Sequence, residues 1–191
     1  MATIDLDLGF AGTHVLVTGG SGFIGSATVS AFLSAGAFVT SLDLDPSKLT
    51  ITHPNLLSLR GDISSEEALS TAFTSATEKF GVVHTCVALA SLDLSVLPHH
   101  DSLIDLPIEQ WRRTFQVNVE GTFLTARTWL RQINENKNKE MRNVGLVIIG
   151  SESGSFGERG NADYASGKAA VQVGLLQSLK GDAVRVYPTA R

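Results

Sequence analysis

The stretch "THVLVTGGSGFIGSATVSAFLSAGA" (13–37) decides the fold. Its first part, "THVLVTGG" (13–20), is a short β-branched run closing on two glycines, which predicts a buried strand. Its second part, "FIGSATVSAFLSAGA" (23–37), carries Ile24, Val29, Phe32 and Leu33 at helical spacing, so a broad apolar face packs inward. Gly36 supplies the helix stop. Strand and helix meet in "TGGSGFIG" (18–25), where a dinucleotide-binding turn belongs. Glycines let the chain approach a pyrophosphate without a Cβ in the way, and the first amides of the helix face the phosphates. Gly19, Ser21, Gly22, Phe23, Ile24 and Gly25 are therefore candidate cofactor-binding residues.

The pattern continues outward. "FVTSLD" (38–43), "LLSLRGD" (56–62), "VVHTCVALA" (82–90) and "GLVIIG" (145–150) read as four more strands. Pro46 and Pro54 break any long element between the first two of these. "SSEEALSTAFTSATEKF" (64–80) opens with Ser64 and Glu67 three apart, a capping-box signature of a helix start. A long helix is predicted from Pro107 to Ile133, with Phe115, Val119, Thr122, Ala126, Leu130 and Ile133 along one stripe. Near-continuous apolar strands alternating with helices imply a parallel sheet covered on both faces. The fold expected is a doubly wound α/β domain of strand order 3-2-1-4-5, with 1–191 as one unit.

Composition narrows the function. The chain has 191 residues, 43% hydrophobic and 18% charged, with a formal net charge of −4, which suits a globular α/β protein and gives no footing for nucleic acid. The mixed-charge run 131–143 reads as a solvated helix end and loop. Cys86 has no second cysteine to pair with and sits in an apolar run, as a buried thiol in a reducing compartment does. The acidic start "MATIDLDLGFAG" is unlike a signal or transit peptide, and no apolar run reaches the ~20 residues a membrane span needs. A cytoplasmic location with no membrane partner is expected.

Asp43 ends the second strand eighteen residues after Gly25, where a carboxylate accepts both hydroxyls of an adenosine ribose and repels a 2′-phosphate. No Arg or Lys stands at 44 or 45, so NAD is expected in preference to NADP. Asp62, at the end of the third strand, is placed to meet an adenine amino group, and Ile63 and Ala88 join the candidate cofactor set.

With these elements, "NVEG" (118–121), Ser151 and "YASGK" (164–168), the chain resembles the short-chain dehydrogenase/reductase family over essentially its whole length. The thirteen-residue separation of Ser151 and Tyr164 and the Tyr-x-x-x-Lys pair match that family's layout. The resemblance implies a catalytic constellation of Ser151, Tyr164, Lys168 and Asn118, with Asn118 linked to Lys168 through water. The chemistry also follows from the residues. Tyr164 and Lys168 are four apart and share a helix face, so a cation stands beside a phenol. A free tyrosine titrates near pH ~10, and a neighbouring positive charge favours its phenolate, which then exchanges a proton with an alcohol or carbonyl oxygen. Lys168 also reaches the nicotinamide ribose, and Ser151, at the end of the fifth strand, holds the substrate oxygen. The reading is a secondary alcohol–ketone oxidoreductase.

Some features depart from the pattern. Gly19, Gly22 and Gly25 have the spacing of the extended branch that handles nucleotide sugars, and "ALAS" (88–91) replaces the family's Asn-Asn-Ala-Gly. A nucleotide-sugar epimerase or dehydratase, and a cofactor-binding protein with little catalysis, are the alternative functions. Gly167 sits inside the helix that carries the Tyr-Lys pair. The loop "LPHHDSLIDLP" (97–107), with His99, His100 and Asp101, is expected beside the substrate, and no metal site is expected. Val171, Leu175 and Leu179 form one apolar line and Val173 and Leu176 another, which predicts a homodimer or homotetramer. That helix is expected to run to Val186 and end at Pro188. The family's last one or two strands are then missing and the fifth strand is an open edge, as in a fragment or a shortened form.

Overall fold

A computed structural model describes residues 8–191; the acidic segment before it, used above for targeting, lies outside the described residues. Five parallel strands form one sheet in the order β3-β2-β1-β4-β5. They are β1 (His14–Thr18), β2 (Phe38–Asp43), β3 (Leu56–Arg60), β4 (Thr85–Ala88) and β5 (Gly145–Ile148). The expected Rossmann-type order is therefore present, with the crossover between β1 and β4 that opens a crevice at the carboxyl ends of the strands.

β1 shows why its apolar run is unbroken. Val15 and Val17 face one side, packing with Val39 and Val87 against Val29 and Leu33 of α1 (Phe23–Ser34). Leu16 faces the other, with Leu42 and Cys86, under α2 (Glu66–Phe80) and α4 (Thr122–Glu135). Both faces are covered, so every position must be apolar or internally bonded. His14 meets this demand by hydrogen bonds: Nδ1 with the Gly81 carbonyl at 2.8 Å and Nε2 with Thr40 Oγ1 at 2.9 Å. Burial lowers its pKa to about 4, so the ring is neutral at pH 7. Gly36 takes φ 77° just beyond α1, as a helix-ending glycine should.

Two local expectations change. The cap of α2 is Ser65, whose hydroxyl accepts from Ala68 N at 3.2 Å, whereas Ser64 turns back to Asp62. Ile24 leaves the core: it is 60% exposed and lines the crevice.

The long helix is real but interrupted. α3 (Ile108–Phe115) passes into a π-helical segment, Gln116–Gly121, before α4. Thr122 and Thr125 donate their hydroxyls to the carbonyls of Asn118 and Gly121, at 2.7 and 2.8 Å, the back-bond that a threonine makes to the residue four before it in a helix. Thr122, Ala126 and Ile133 of the expected stripe are buried, together with Val117, Asn118, Gly121, Leu124 and Trp129, while Phe115, Val119 and Leu130 are half-exposed. A second π segment, Ala170–Leu175, joins α6 (Ala162–Ala169) to α7 (Leu176–Val186), which ends before Pro188. α5 (Ser153–Phe156) is a single turn after β5.

β5 is the last strand, with Val147 46% exposed, yet its edge is not wholly bare. Arg191 N donates to Val144 O and Leu146 N donates to Arg191 O, both at 3.0 Å. The expectation of an open fifth strand is corrected to this extent, because backbone groups at a strand start bond whatever chain lies beside them. No helix among the described residues is long and apolar enough to cross a membrane.

Candidate functional site

A cleft of about 630 Å³ runs along the carboxyl ends of the strands. At one end is the turn after β1. Gly19 takes φ 70°, and its N–H donates to Leu42 O at 2.7 Å. A Cβ there would stand 2.8 Å from Ala90 Cα, and one on Gly25 would overlap the Gly19 carbonyl oxygen. Gly20, which the motif reading passed over, is equally constrained, since a Cβ on it would overlap Ser41 Oγ. The first amides of α1 open onto this turn, because Gly22 caps the helix with no side chain and the first turn has no acid. Ser21 Oγ is buried there without a partner. A bare helix N-terminus, a glycine cradle and an orphaned hydroxyl fit a pyrophosphate.

Asp43 is fixed by two backbone amides: Ser21 N donates to Oδ2 at 3.0 Å and Asp45 N to Oδ1 at 3.1 Å. It thus sets the shape of the glycine turn as well as lining the cleft. Asp62 lines the cleft too, with Oδ1 bonded to Ser64 and Oδ2 4.0 Å from Arg113. Ile63, 5% exposed, packs against Gly121, where a Cβ would come within 2.7 Å of its Cδ1. Leu89 and Ala90 line the cleft beyond β4, whereas Ala88 is buried in the strand and is not part of the lining. The strand end that lacks the family's paired amides is braced by Thr18, whose Oγ1 accepts from Leu89 N at 3.1 Å and Ala90 N at 3.2 Å.

At the other end α6 presents Tyr164 and Lys168, 8% and 5% exposed, into the same cleft. Lys168 Nζ lies 5.7 Å from the Tyr164 ring centroid and donates to Ile149 O at 2.9 Å. Burial lowers the Lys168 pKa, and the charge of Asp93 opposes that shift. Asn118 is spoken for: Leu92 N donates to its Oδ1 at 2.7 Å and its Nδ2 donates to Leu92 O at 2.8 Å. Its side chain clamps the loop after β4. Ser151 stands at the end of β5 but outside the cleft lining; its N–H donates to Gln172 Oε1 at 2.8 Å, and its hydroxyl accepts from Ser153 N at 3.2 Å.

The 97–107 loop docks on the start of α6. His99 Nδ1 pairs with Asn161 Oδ1 at 3.2 Å and His100 Nε2 with Gln110 Oε1 at 2.8 Å. Gln110 Nε2 and Thr114 Oγ1 then donate to the buried Asp163, at 3.2 and 2.7 Å. Among the described residues no group of three or more His, Cys, Asp or Glu converges as a metal site would. Sequence reasoning missed Gly20, Thr18, Asp93, Arg113, Asp163 and Gln172. Thr18, directly before the glycines, and Gly20, one of them, carried a local signal.

Comparison with known proteins agrees with this geometry. The chain is 29% identical over 187 residues to the 3-oxoacyl-[acyl-carrier-protein] reductase MabA of Mycobacterium tuberculosis, covering 95% of this chain and 67% of that protein. It is 33% identical over 129 residues to the short chain dehydrogenase/reductase dpmpG of Macrophomina phaseolina, 63% of this chain and 71% of that one. Its fold matches a 3-ketoacyl-(acyl-carrier-protein) reductase from Brucella melitensis complexed with NADH, with TM-score 0.84 and 23% identity, covering 95% of this chain and 74% of the other. It also matches an NAD+-bound xylitol dehydrogenase, with TM-score 0.83 and 24% identity, covering 95% and 68%. The family model described as short chain dehydrogenase matches residues 13–186, so that strand order, glycine turn and Tyr-Lys helix all lie within the match, and the chain belongs to the short-chain dehydrogenase/reductase family.

Proposed function

We propose that this protein is an NAD-dependent oxidoreductase that interconverts a secondary alcohol and a ketone. The observation that carries the reading is the placement of Tyr164 and Lys168, both buried, in the cleft that begins at the glycine turn. Gly19, Gly22, Phe23, Ile24 and the Ser21 hydroxyl would hold the pyrophosphate, Asp43 the adenosine ribose, and Asp62 and Ile63 the adenine. A nicotinamide bound at the far end supplies the hydride chemistry. In the oxidative direction Tyr164 accepts the hydroxyl proton of the alcohol, and in the reductive direction it returns a proton to the carbonyl oxygen. The Lys168 ammonium, held by Ile149 O, stabilises the negative charge on the phenol oxygen. Ser151 steadies the substrate oxygen once its hydroxyl turns from Ser153 N, and Asn118 holds the loop over which the substrate enters.

NAD is favoured over NADP because a carboxylate at Asp43, which lines the cleft, would repel a 2′-phosphate and no cation follows it at 44 or 45. A homodimer or homotetramer is proposed from the exposed Phe123, Val173 and Leu176, which lie on the helices around the two π segments. A weaker-catalyst reading is favoured by one observation, the engagement of Ser151 and Asn118 by other partners. Steady-state reduction of a ketone panel with NADH, for wild type and Tyr164→Phe, tests the function. Tyr164→Phe is expected to abolish turnover and leave the NADH dissociation constant within about threefold. A variant keeping more than about a tenth of wild-type turnover refutes the acid/base role.

A further inference from the structure

We propose that the substrate is a neutral, largely apolar alcohol or ketone, and that Asp93 at the mouth of the cleft disfavours substrates carrying a carboxylate or phosphate. The inference rests on the oxidoreductase reading and deepens it. Two segments flank the catalytic end: the loop following β4 and the segment following β5. They are tied together, since His100 N donates to Gly160 O at 3.1 Å and Asn161 Nδ2 to Pro98 O at 2.9 Å. Between them they expose Leu94, Val96, Leu103, Ile104 and Phe156, the last two 93% and 88% exposed. Leu94 and Val96 alternate with Asp93 and Ser95, which line the cleft itself. Leu89, Leu92, Val117 and Ile149 line the same cleft, and an apolar wall gains by burying an apolar ligand.

The charges point the same way. The segments 91–106 and 151–161 contain Asp93, Asp101, Asp105, Glu152 and Glu158 against Arg159 alone. Arg159 lines a small side cavity with Asp101 and Glu158, so it does not stand as an unopposed cation. Within the cleft, Arg113 is at the far end beside Asp62. Lys168 has its Nζ on Ile149 O and lies under the influence of Asp93. The Asp93 carboxylate is held in place: Ser95 N and Ser95 Oγ donate to its Oδ1, at 2.8 and 2.5 Å. A substrate anion would therefore meet a fixed negative charge and no cation assigned to it.

The test uses 2-decanone and 9-oxodecanoate, which differ only in a terminal methyl or carboxylate. The ratio of their kcat/KM values with NADH is measured for wild type, Asp93→Asn and Asp93→Glu, at low and high salt. Wild type is expected to prefer the neutral ketone by about tenfold or more. Asp93→Asn is expected to narrow that ratio by about three- to tenfold at low salt and less at high salt, because an exposed charge is screened. Asp93→Glu, which keeps the charge, should keep the ratio. Equal or better use of the keto acid by wild type, or a ratio that Asp93→Asn leaves unmoved, overturns the inference. Where turnover is too slow to measure, calorimetric affinities of the two ligands for the protein–NADH complex give the same ratio. Failure to bind NADH at all sinks the oxidoreductase reading, and the inference with it.

Discussion

Replacing Gly25 by alanine adds one methyl group, and the structure sets what it would meet. The new Cβ would overlap the Gly19 carbonyl oxygen and stand 2.8 Å from Gly20 Cα and 2.9 Å from Gly19 C. Carbon atoms in favourable contact lie ~3.5–4.0 Å apart, so something must shift by about 1 Å. All three neighbours are backbone, and that backbone is pinned. Gly19 N bonds Leu42 O at 2.7 Å, Gly22 N bonds Gly19 O at 3.1 Å, and Ala90 lies against Gly19. Overpacking of this kind costs about 1–3 kcal/mol, partly offset by up to about 1 kcal/mol of helix propensity. The displaced atoms are those proposed to cradle a pyrophosphate. At ~1.4 kcal/mol per tenfold, NADH affinity should fall about tenfold or more while the fold survives. The same change at Gly167 gives the contrast: its Cβ would meet Val119 Cγ2 at 3.5 Å and Asn118 Cβ at 3.7 Å, ordinary contacts. Gly167→Ala should therefore gain up to about 1 kcal/mol, or roughly 2–4 °C in Tm. NADH fluorescence titration and circular-dichroism melts read both variants. A Gly25→Ala protein that binds NADH within twofold of wild type would show the steric reasoning to be wrong.

Asp43→Ala should weaken NADH as well as relax the discrimination against NADPH, because the carboxylate also holds Ser21 N and Asp45 N. Comparative titration with the two cofactors checks this, and a wild type preferring NADPH contradicts it. Lys168→Ala should lower turnover and NADH affinity together, and unchanged NADH binding would remove the lysine from the ribose site. His14 predicts an acid limb in stability. Its folded pKa, about 4, is below the ordinary 6.5, so between these values the unfolded chain binds more protons and stability falls as pH falls. The loss by pH 4 should approach about 3 kcal/mol and be absent above pH 7, and Tm measured across that window should slope accordingly. A flat Tm profile there would mean that the ring gains a proton without cost.

The sheet was legible because both faces of each central strand are buried and a parallel sheet leaves its apolar runs nearly unbroken. The helices were legible in position but only partly in phase. Along the Asn118 helix the π segment adds a residue to one turn, so a strict 3.6-residue stripe misses the core at Phe115 and Val119 and meets it at Thr122, Ala126 and Ile133, while Trp129, wholly buried, fell outside it. Ile24 shows the opposite error: apolar residues at helical spacing need not point to the core when the first turn of a helix borders a cleft. At the start of α2 two adjacent serines were both capable of capping, and Ser64 was drawn away by Asp62.

The site was legible only where function rests on a local spacing. Tyr164 and Lys168 are neighbours on a helix wherever that helix lies, and the glycine turn needs only the strand before it and the helix after it. What holds these pieces in relation is different in kind. Thr18 braces Leu89 and Ala90 from a strand some seventy residues away, Asn118 clamps Leu92 across 26, and Gln172 reaches Ser151 across 21. Each is a side chain bonded to loop backbone at the end of another element, and the sequence does not show which loop such a side chain reaches. They also explain how "ALAS" (88–91) can stand in for the family's amide-bearing strand end. The buried N–H groups at that end still require acceptors, and a hydroxyl from β1 provides them without any amide side chain in β4. The substitution at that strand end thus leaves the loop wall of the cleft intact, and moves the determinant of its shape from the motif itself to Thr18 and Asn118.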